Sequence, residues 1–420
     1  MGDVLEHDMA LSANGATWSN AMRAAYRNSF AERGLPTRRV EAWKYSDLAR
    51  ALKDTVAPHD EAALSPEIEG ADVISFRDGL LEAAPSSAPV ASFTPLSDTL
   101  SDVSSPYADL IGAINPQLQH PIVALNAAEM RDGFVLHVPK GARLESPLHV
   151  RFDWRAAGPA AERHVRLVFL IEEGAEATFV ESHVGAPHFA TVVTEVKMDR
   201  GARFDHVRLE RLDKNGRLSA ATLGEIAEDT RYQAFYISEG GKFARHEAHL
   251  KLTGSKAEAA LNGACLAAAE AHCDNTIVIA HEAPEASSSQ TFRNVLGGRA
   301  HGVFQGCVKV ARAAQKTNAR QLCRSLLLTP NARVSAKPEL EIFADDVKCS
   351  HGAASGDLDE QALFFLRSRG IPLDEARLML VDAFLGDSVA SIRDPKIRAV
   401  AGALVTDWVT RNARDAFDAR

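Results

Sequence analysis

Lys140-Gly141-Ala142-Arg143-Leu144, Glu173-Gly174-Ala175-Glu176-Ala177 and Arg200-Gly201-Ala202-Arg203-Phe204 share a Gly-Ala-x-apolar core. Looser forms stand at Glu228-Asp229-Thr230-Arg231-Tyr232 and Thr253-Gly254-Ser255-Lys256-Ala257. The five copies lie roughly 25 to 35 residues apart, inside the window that marks structural repeats. Each reads as a polar turn that starts a strand. A unit of this size supplies a few strands and cannot bury an apolar face alone, so copies must stack. A sandwich or jelly roll would not need one turn phrase at a near-constant period. The pattern predicts a mainly β protein built on a parallel β-helix or related solenoid.

Outward from those turns, short alternating runs extend the strand signal from about 121 to about 356. Examples are Phe134 to Val138, Val165 to Leu170, Val192 to Val196, Thr276 to Ala280 and Val303 to Val310. Helical signals flank this core. Trp18, Met22, Tyr26 and Phe30 recur at helical spacing, with Thr17 or Ser19 as cap and Gly34 and Pro36 as the stop. A second helical stretch carries Val40, Trp43 and Leu48. The tract from Pro85 to Pro106, rich in Ser, Pro, Ala and Thr, reads as a surface loop or linker.

At the other end Asp357-Leu358-Asp359-Glu360 has capping-box spacing, with Asp357 as the cap of a helix ending at Gly370. A second helix carries Ala376, Leu380, Val381 and Phe384 and stops at Gly386. Asp394-Pro395 opens a third, whose Ile397, Val400, Ala401, Leu404, Val405 and Trp408 form one stripe. That stripe packs either on the chain's own body or on a partner. The expected division is an N-terminal helical region at 1–84, a linker at 85–120, a β-helix at 121–356 and a C-terminal helical domain at 357–420.

Composition excludes several function classes. The 420 residues are 46% hydrophobic and 25% charged, which is the balance of a globular protein. Net charge is −9, and the basic groups are scattered rather than gathered into a stripe, so nucleic acid is not expected as a partner. The acidic start MGDVLEHDMALSANG has no basic region followed by an apolar one, and no apolar run is long enough to span a bilayer. Neither a secretory leader nor a membrane anchor is expected. Five cysteines in so long a chain do not make a disulfide framework. The expected location is the cytoplasm.

The chemistry-bearing residues are few. Cys349 and His351 are two apart in Asp345-Asp346-Val347-Lys348-Cys349-Ser350-His351-Gly352. On a strand they share a face, about 6.6 Å apart along the backbone. Thiolate with imidazole suits iron, zinc or a sulfane sulfur species. Lys348 is expected to lower the thiol's pKa. Two donors make no complete site, so further ligands must come from elsewhere. His246 and His249, three apart, fit a helix face better than a strand and read as structural. Cys265 and Cys273 match no metal-ligand spacing, while Cys307 and Cys323 are isolated. No P-loop, nucleophile elbow or Cys-x-x-Cys is present, so ATP, if used, is bound by another chain.

Four phrases together resemble the SufD family of iron–sulfur cluster assembly proteins. They are Ser325-Leu326-Leu327-Leu328-Thr329, Lys337-Pro338-Glu339-Leu340-Glu341-Ile342, Asp345 to Ala353, and Phe364-Phe365-Leu366-Arg367-Ser368-Arg369-Gly370-Ile371-Pro372. Glu41-Ala42-Trp43-Lys44-Tyr45-Ser46-Asp47-Leu48 looks like the family's opening motif. The sister family SufB is similar in the final helices but lacks the Asp345 to His351 phrase. Ala354-Ser355 is a small departure, where a threonine and a hydrophobic residue are common.

The resemblance implies a right-handed parallel β-helix core flanked by N- and C-terminal α-helical domains. It implies a SufB-like β-helix as partner and a SufC-like ABC ATPase docking on the C-terminal helices. It implies a transient iron–sulfur cluster at the shared junction, with Cys349 and His351 as this chain's donors, and no catalytic activity of its own. Reduced flavin is associated with such complexes, although no flavin motif is visible. Homodimerisation of the isolated chain is left open. Two other readings compete: an interaction protein without a metal role, and a β-helical carbohydrate-active enzyme. The latter would normally be secreted and would present aromatic sugar platforms.

Overall fold

The computed structural model describes residues 15–53, 65–85, 91–114, 120–155 and 162–417. The acidic segment 1–14 and residues 86–90 and 115–119 of the expected linker lie outside them. Helix α1 (Thr17–Arg33) ends at Gly34, whose φ of +65° is the left-handed conformation glycine adopts without strain. Its cap position is Ala16, not Thr17 or Ser19; the Ser19 hydroxyl instead reaches the carbonyls of Ala16 and Leu100. A 3₁₀ turn at Glu41–Trp43 and a short α2 (Leu48–Ala51) follow.

The region expected to be helical up to residue 84 also holds β1 (Asp72–Arg77) and β2 (Leu80–Ala83). Residues 92–101, expected as linker, form β3 (Ser92–Pro95) and α3 (Leu96–Ser101). These elements are too short to display a period, so neighbouring strands specify them instead: β3 pairs antiparallel with the first core strand. Helix α4 (Pro121–Glu129) then leads into the core.

Sixteen strands follow in chain order and alternate between two sheets. One sheet takes β4 (Asp132–Val138), β6 (Glu162–Ile171), β8 (Phe189–Met198), β10 (Arg217–Ile226), β12 (Phe243–Leu252), β14 (His272–His281), β16 (His301–Val310) and β18 (Arg333–Ile342). The other takes β5 (Leu148–Trp154), β7 (Glu176–Gly185), β9 (Arg203–Leu212), β11 (Arg231–Ser238) and β13 (Glu258–Ala267). It continues through β15 (Ser287–Leu296), β17 (Asn318–Leu327) and β19 (Lys348–Gly356). From β6 to β17 each strand pairs in parallel with the strands two before and two after it. The result is a parallel β-solenoid of about eight coils.

The recurring phrase is the corner of each coil. Gly141, Gly174 and Gly201 have positive φ, and so do Asp229, Lys256, Glu285 and Lys316 at the equivalent place one coil apart. Each left-handed residue donates its amide to a carbonyl of the next coil: Gly174 to Arg200, Gly201 to Glu228 and Asp229 to Ser255, all at 2.9 Å. The small residue after it (Ala175, Ala202, Thr230, Ala257, Ala286 or Thr317) turns inward and is buried. In the fifth copy the corner is therefore Lys256-Ala257, two residues after the Gly254 that suggested it.

The interior changes along the solenoid. Its first half is filled by phenylalanines, with Phe169 4.6 Å from Phe179 and 5.3 Å from Phe204. Buried ion pairs, including Arg166 with Glu195 at 2.5 Å, take up charge that would otherwise be unpaired. Several histidines are buried in the solenoid wall. Burial pushes His149 and His164 down to about 3 and His281 to about 4. Their folded pKa values lie below the unfolded value near 6.5, so the unfolded chain binds more protons between the two. Stability is full above about pH 6.5 and is lost as pH falls from there towards 4. Each such histidine steepens the loss by up to about 1.4 kcal/mol per pH unit. Denaturant midpoints measured from pH 7.5 to 4.5 should fall steadily from about 6.5, and a flat profile down to pH 5 would refute this.

After β19 come α5 (Glu360–Ser368), α6 (Leu373–Val389) and α7 (Pro395–Phe417). The cap of α5 is Asp359 rather than Asp357; its carboxylate accepts from the amides of Gln361 and Ala362. Helix α6 runs through Gly386 to Val389. The α7 stripe settles on the chain's own body. Ile397, Ala401, Val405 and Trp408 are buried together with Val207, Leu209, Phe235, Ile237, Ala264, Leu266 and Val295, the outward side chains of β9 to β15.

Candidate functional site

Residues 348–356 form the last strand of the solenoid, and β19 has a neighbour, β17, on one side only. In-register parallel pairing keeps matched side chains on one face. Cys349 is matched with Ala319 and His351 with Gln321. Ala319 and Gln321 are buried in the interior. Cys349 and His351 thus continue the inward-facing column at the open end, where no further coil covers them. His351 is exposed, while Cys349 is half-buried beside Val308, Val310, Ala314 and Ala319. Lys348 and Ser350 take the opposite face.

The thiol's environment differs from the expectation. Partial burial pushes the Cys349 pKa up, partly offset by a backbone hydrogen bond with Ala319. Lys348 does not lower it, because alternation points its side chain away. Beneath His351 lie the Gln321 and Gln290 side chains, one coil apart, whose buried amide atoms have no hydrogen-bond partner. Unmatched amides at this depth are uncommon in folded proteins.

The other cysteines are not brought to this pair. Cys265 and Cys273 pack together with Leu296, Ala300 and Ala332, and burial pushes the Cys265 thiol far up. Cys323 accepts from the Asn294 amide at 3.5 Å and is pushed up to about 11 by burial. Cys307 is also raised to about 11 by burial, next to Glu341. All four are small buried or half-buried thiols, and the raised pKa values of Cys265, Cys307 and Cys323 keep those three protonated at neutral pH. His246 and His249 lie on strand β12, not on a helix, and alternation separates them. His246 faces inward beside Tyr236, whereas His249 joins Glu247 on the outer face.

The opening motif has a structural role. Trp43 stacks on Phe243 at 6.3 Å, and the Arg245 guanidinium lies 4.0 Å from its ring centre. The Ala42 carbonyl accepts from Arg245 and Gln305, and the Ser46 hydroxyl bonds His272 and Asp274. The motif clasps the N-terminal elements to β12, β14 and β16.

Comparison with known proteins agrees with this architecture. Residues 155–384 match the family model "SUF system FeS cluster assembly, SufBD core domain". The chain is 33% identical over 285 residues to Protein ABCI7, chloroplastic, of Arabidopsis thaliana, covering 66% of this chain and 60% of that protein. It is 32% identical over 280 residues to an iron-sulfur cluster assembly SufBD family protein of Synechocystis, covering 64% and 62%. With the iron-sulfur cluster assembly protein SufD of Escherichia coli it shares 29% identity over 381 residues, 87% of each chain. The match thus spans about three fifths of the first two relatives and most of the third.

Fold and matches together define a β-solenoid of the SufBD core class, the family whose model is described as belonging to the SUF system of FeS cluster assembly. The chain belongs to the SufBD family, and within it to the SufD group. Among the described residues no helix is long and apolar enough to cross a membrane.

Proposed function

We propose that this chain is the non-catalytic scaffold subunit of a cytoplasmic SufB–SufC–SufD-type complex. Its last coil pairs with a SufB-like β-helix, and Cys349 and His351 act as donors to the cluster assembled at that junction. The observation that carries this reading is the open end of the solenoid. Strands β18 and β19 are long and largely exposed, and each has a neighbour on one side only. Phe343, 68% exposed, stands between them. Long unpaired edges template pairing with another chain unless something covers them. A second solenoid of the same kind would continue both sheets, and without it the same edge would favour a homodimer.

The ATPase-docking face follows from what α7 leaves free. Since the α7 stripe is buried against β9 to β15, the exposed apolar groups of the helical end are Phe364 and Phe365 on α5 and Met379 on α6. Phe364 is 75% and Phe365 53% exposed, and α5 buries none of its residues. We assign the SufC-like contact to this helix. Any flavin of the complex is assigned to residues other than these.

Hydrogen exchange on the chain alone and with its SufB-like partner tests the junction. Amides of β18 and β19 should gain strong protection in the complex. A Phe364→Asp/Phe365→Asp variant should keep that protection and lose capture of the ATPase. Unchanged exchange in β18 and β19 on complex formation would refute the pairing, and undiminished ATPase capture would refute the docking face.

A further inference from the structure

A second group of donors lies on the flank of the solenoid, away from the open end. His120 caps α4, and Glu247 and His249 sit two apart on the outer face of β12. One donor atom from each lies within 4.8 Å of the other two. The Glu247 Oε2 is 2.6 Å from His120 Nε2 and 3.3 Å from His249 Nε2. The two rings meet edge to face with centroids 5.4 Å apart. From this geometry we propose that His120, Glu247 and His249 bind one divalent first-row transition ion, with zinc(II) and iron(II) as the expected species.

Several observations support the assignment. Two imidazoles and a carboxylate form a donor set suited to zinc or iron, with water completing the shell. Bonds of about 2.0–2.1 Å in a tetrahedron place donors about 3.3 Å apart. The Glu247–His249 pair already has that separation, and His120 needs to retreat by a fraction of an ångström. The carboxylate is oriented from behind: the other oxygen, Oε1, accepts from Arg245 Nε at 2.8 Å. Outer partners of this kind fix a ligand's orientation in metal sites. The charge pattern also fits, because Arg245 is shared by two buried carboxylates, Glu247 and Asp274. A further positive charge at Oε2 complements that arrangement.

His249 is one-third exposed, which leaves a path for the ion and for a water ligand. The ion takes the place of the protons that link Glu247 Oε2 to the two rings, and the further contact given up is the 3.4 Å approach of the Val123 amide to His120 Nδ1. A neutral imidazole bound through Nε2 carries its proton on Nδ1. That contact is long, and its loss is small beside a metal bond.

Cobalt(II) titration of the full chain after dialysis against chelator provides the test. The expected result is saturation at one ion per chain, with weak visible bands and no intense near-ultraviolet sulfur-to-cobalt band. Zinc(II) should displace it. His249→Ala and His120→Ala should each weaken binding by about tenfold or more, while the circular dichroism and metal-free melting of the His249 variant match the parent; the His120 variant also loses the α4 cap and is expected to melt lower. His249→Gln is the reserve should alanine fail to fold. Three results overturn the proposal: no saturable binding at 100 micromolar cobalt as an order-of-magnitude ceiling, an intense sulfur band, or affinity unchanged in a folded His249 variant.

Discussion

A chain ending after Gly370 is expected to lose its stable, soluble fold, although the strands of the solenoid all precede that point. Solenoids draw their stability from neighbouring coils, which alone would suggest tolerance. Here the outer face of β9 to β15 is apolar. Val207, Leu209, Phe235, Ile237, Leu266 and Val295 are buried under α6 and α7. Exposing a Val, Leu, Ile or Phe side chain fully costs about 1.5–3 kcal/mol. Six such losses reach the order of the 5–15 kcal/mol that holds a whole domain together. Polar ties go too: Arg293 to Asp387 at 2.8 Å, Arg411 to Glu239 at 2.6 Å, and Gln233 to the Ser391 carbonyl at 2.7 Å. The truncated chain should partition to the insoluble fraction, or bind a hydrophobic dye and melt without cooperativity. A soluble product with a cooperative transition within a few degrees of the parent would show that the helices are dispensable. The same argument explains why Phe364 and Phe365, which stand largely exposed and belong to no buried cluster, are the better probes of docking.

The contrast between α7 and α5 shows how far sequence patterning reaches. The stripe at Ile397, Ala401, Val405 and Trp408 was legible as a stripe, but periodicity carries no address. Its two possible owners, this chain or a partner, are separated only by the outward apolar residues of β9 to β15. Those residues read in sequence as half of an alternating strand. The Gly-Ala corners were legible for a physical reason: a left-handed residue followed by a small inward one is needed once per coil. The later corners Glu285-Ala286 and Lys316-Thr317 are harder to read because they have neither the turn-forming aspartate of Asp229-Thr230 nor the nearby glycine of Lys256-Ala257.

Short elements were illegible for the opposite reason. Strand β3 has four residues, too few to alternate visibly, and exists because β4 offers it an edge. At the candidate site, alternation alone placed Cys349 and His351 on one face. That this face is the interior column, that it is uncovered, and that Lys348 points away all depend on register with β17. The His120–Glu247–His249 group was missed because His246 and His249 were paired at helical spacing. Reading Glu247-x-His249 with period two finds two of its three donors, while His120 is brought in by the fold over more than a hundred intervening residues.

His351→Ala is expected to leave the protein folded and its complex assembled while cutting cluster formation by about tenfold or more. The side chain is exposed on an edge strand, so stability should change by about 0.5 kcal/mol or less. In the proposed junction the imidazole is one of two donors this chain presents to the iron–sulfur cluster under assembly. Its removal opens a coordination position that alanine cannot fill. Cys349→Ser should give the milder defect. Serine keeps the size of the half-buried side chain but replaces a soft donor with a hard one, and the raised pKa of Cys349 keeps its thiolate population low until metal binds. The readouts are anaerobic reconstitution of the three-protein complex with iron and sulfide quantitation, and maturation of a cluster enzyme in cells. Wild-type cluster yield in both variants, with complexes intact by gel filtration, would make the pair structural and leave the chain an interaction protein without a metal role. Yield lost in the His351 variant while β18 and β19 stay protected in the complex separates the chemistry of the imidazole from the packing of the junction.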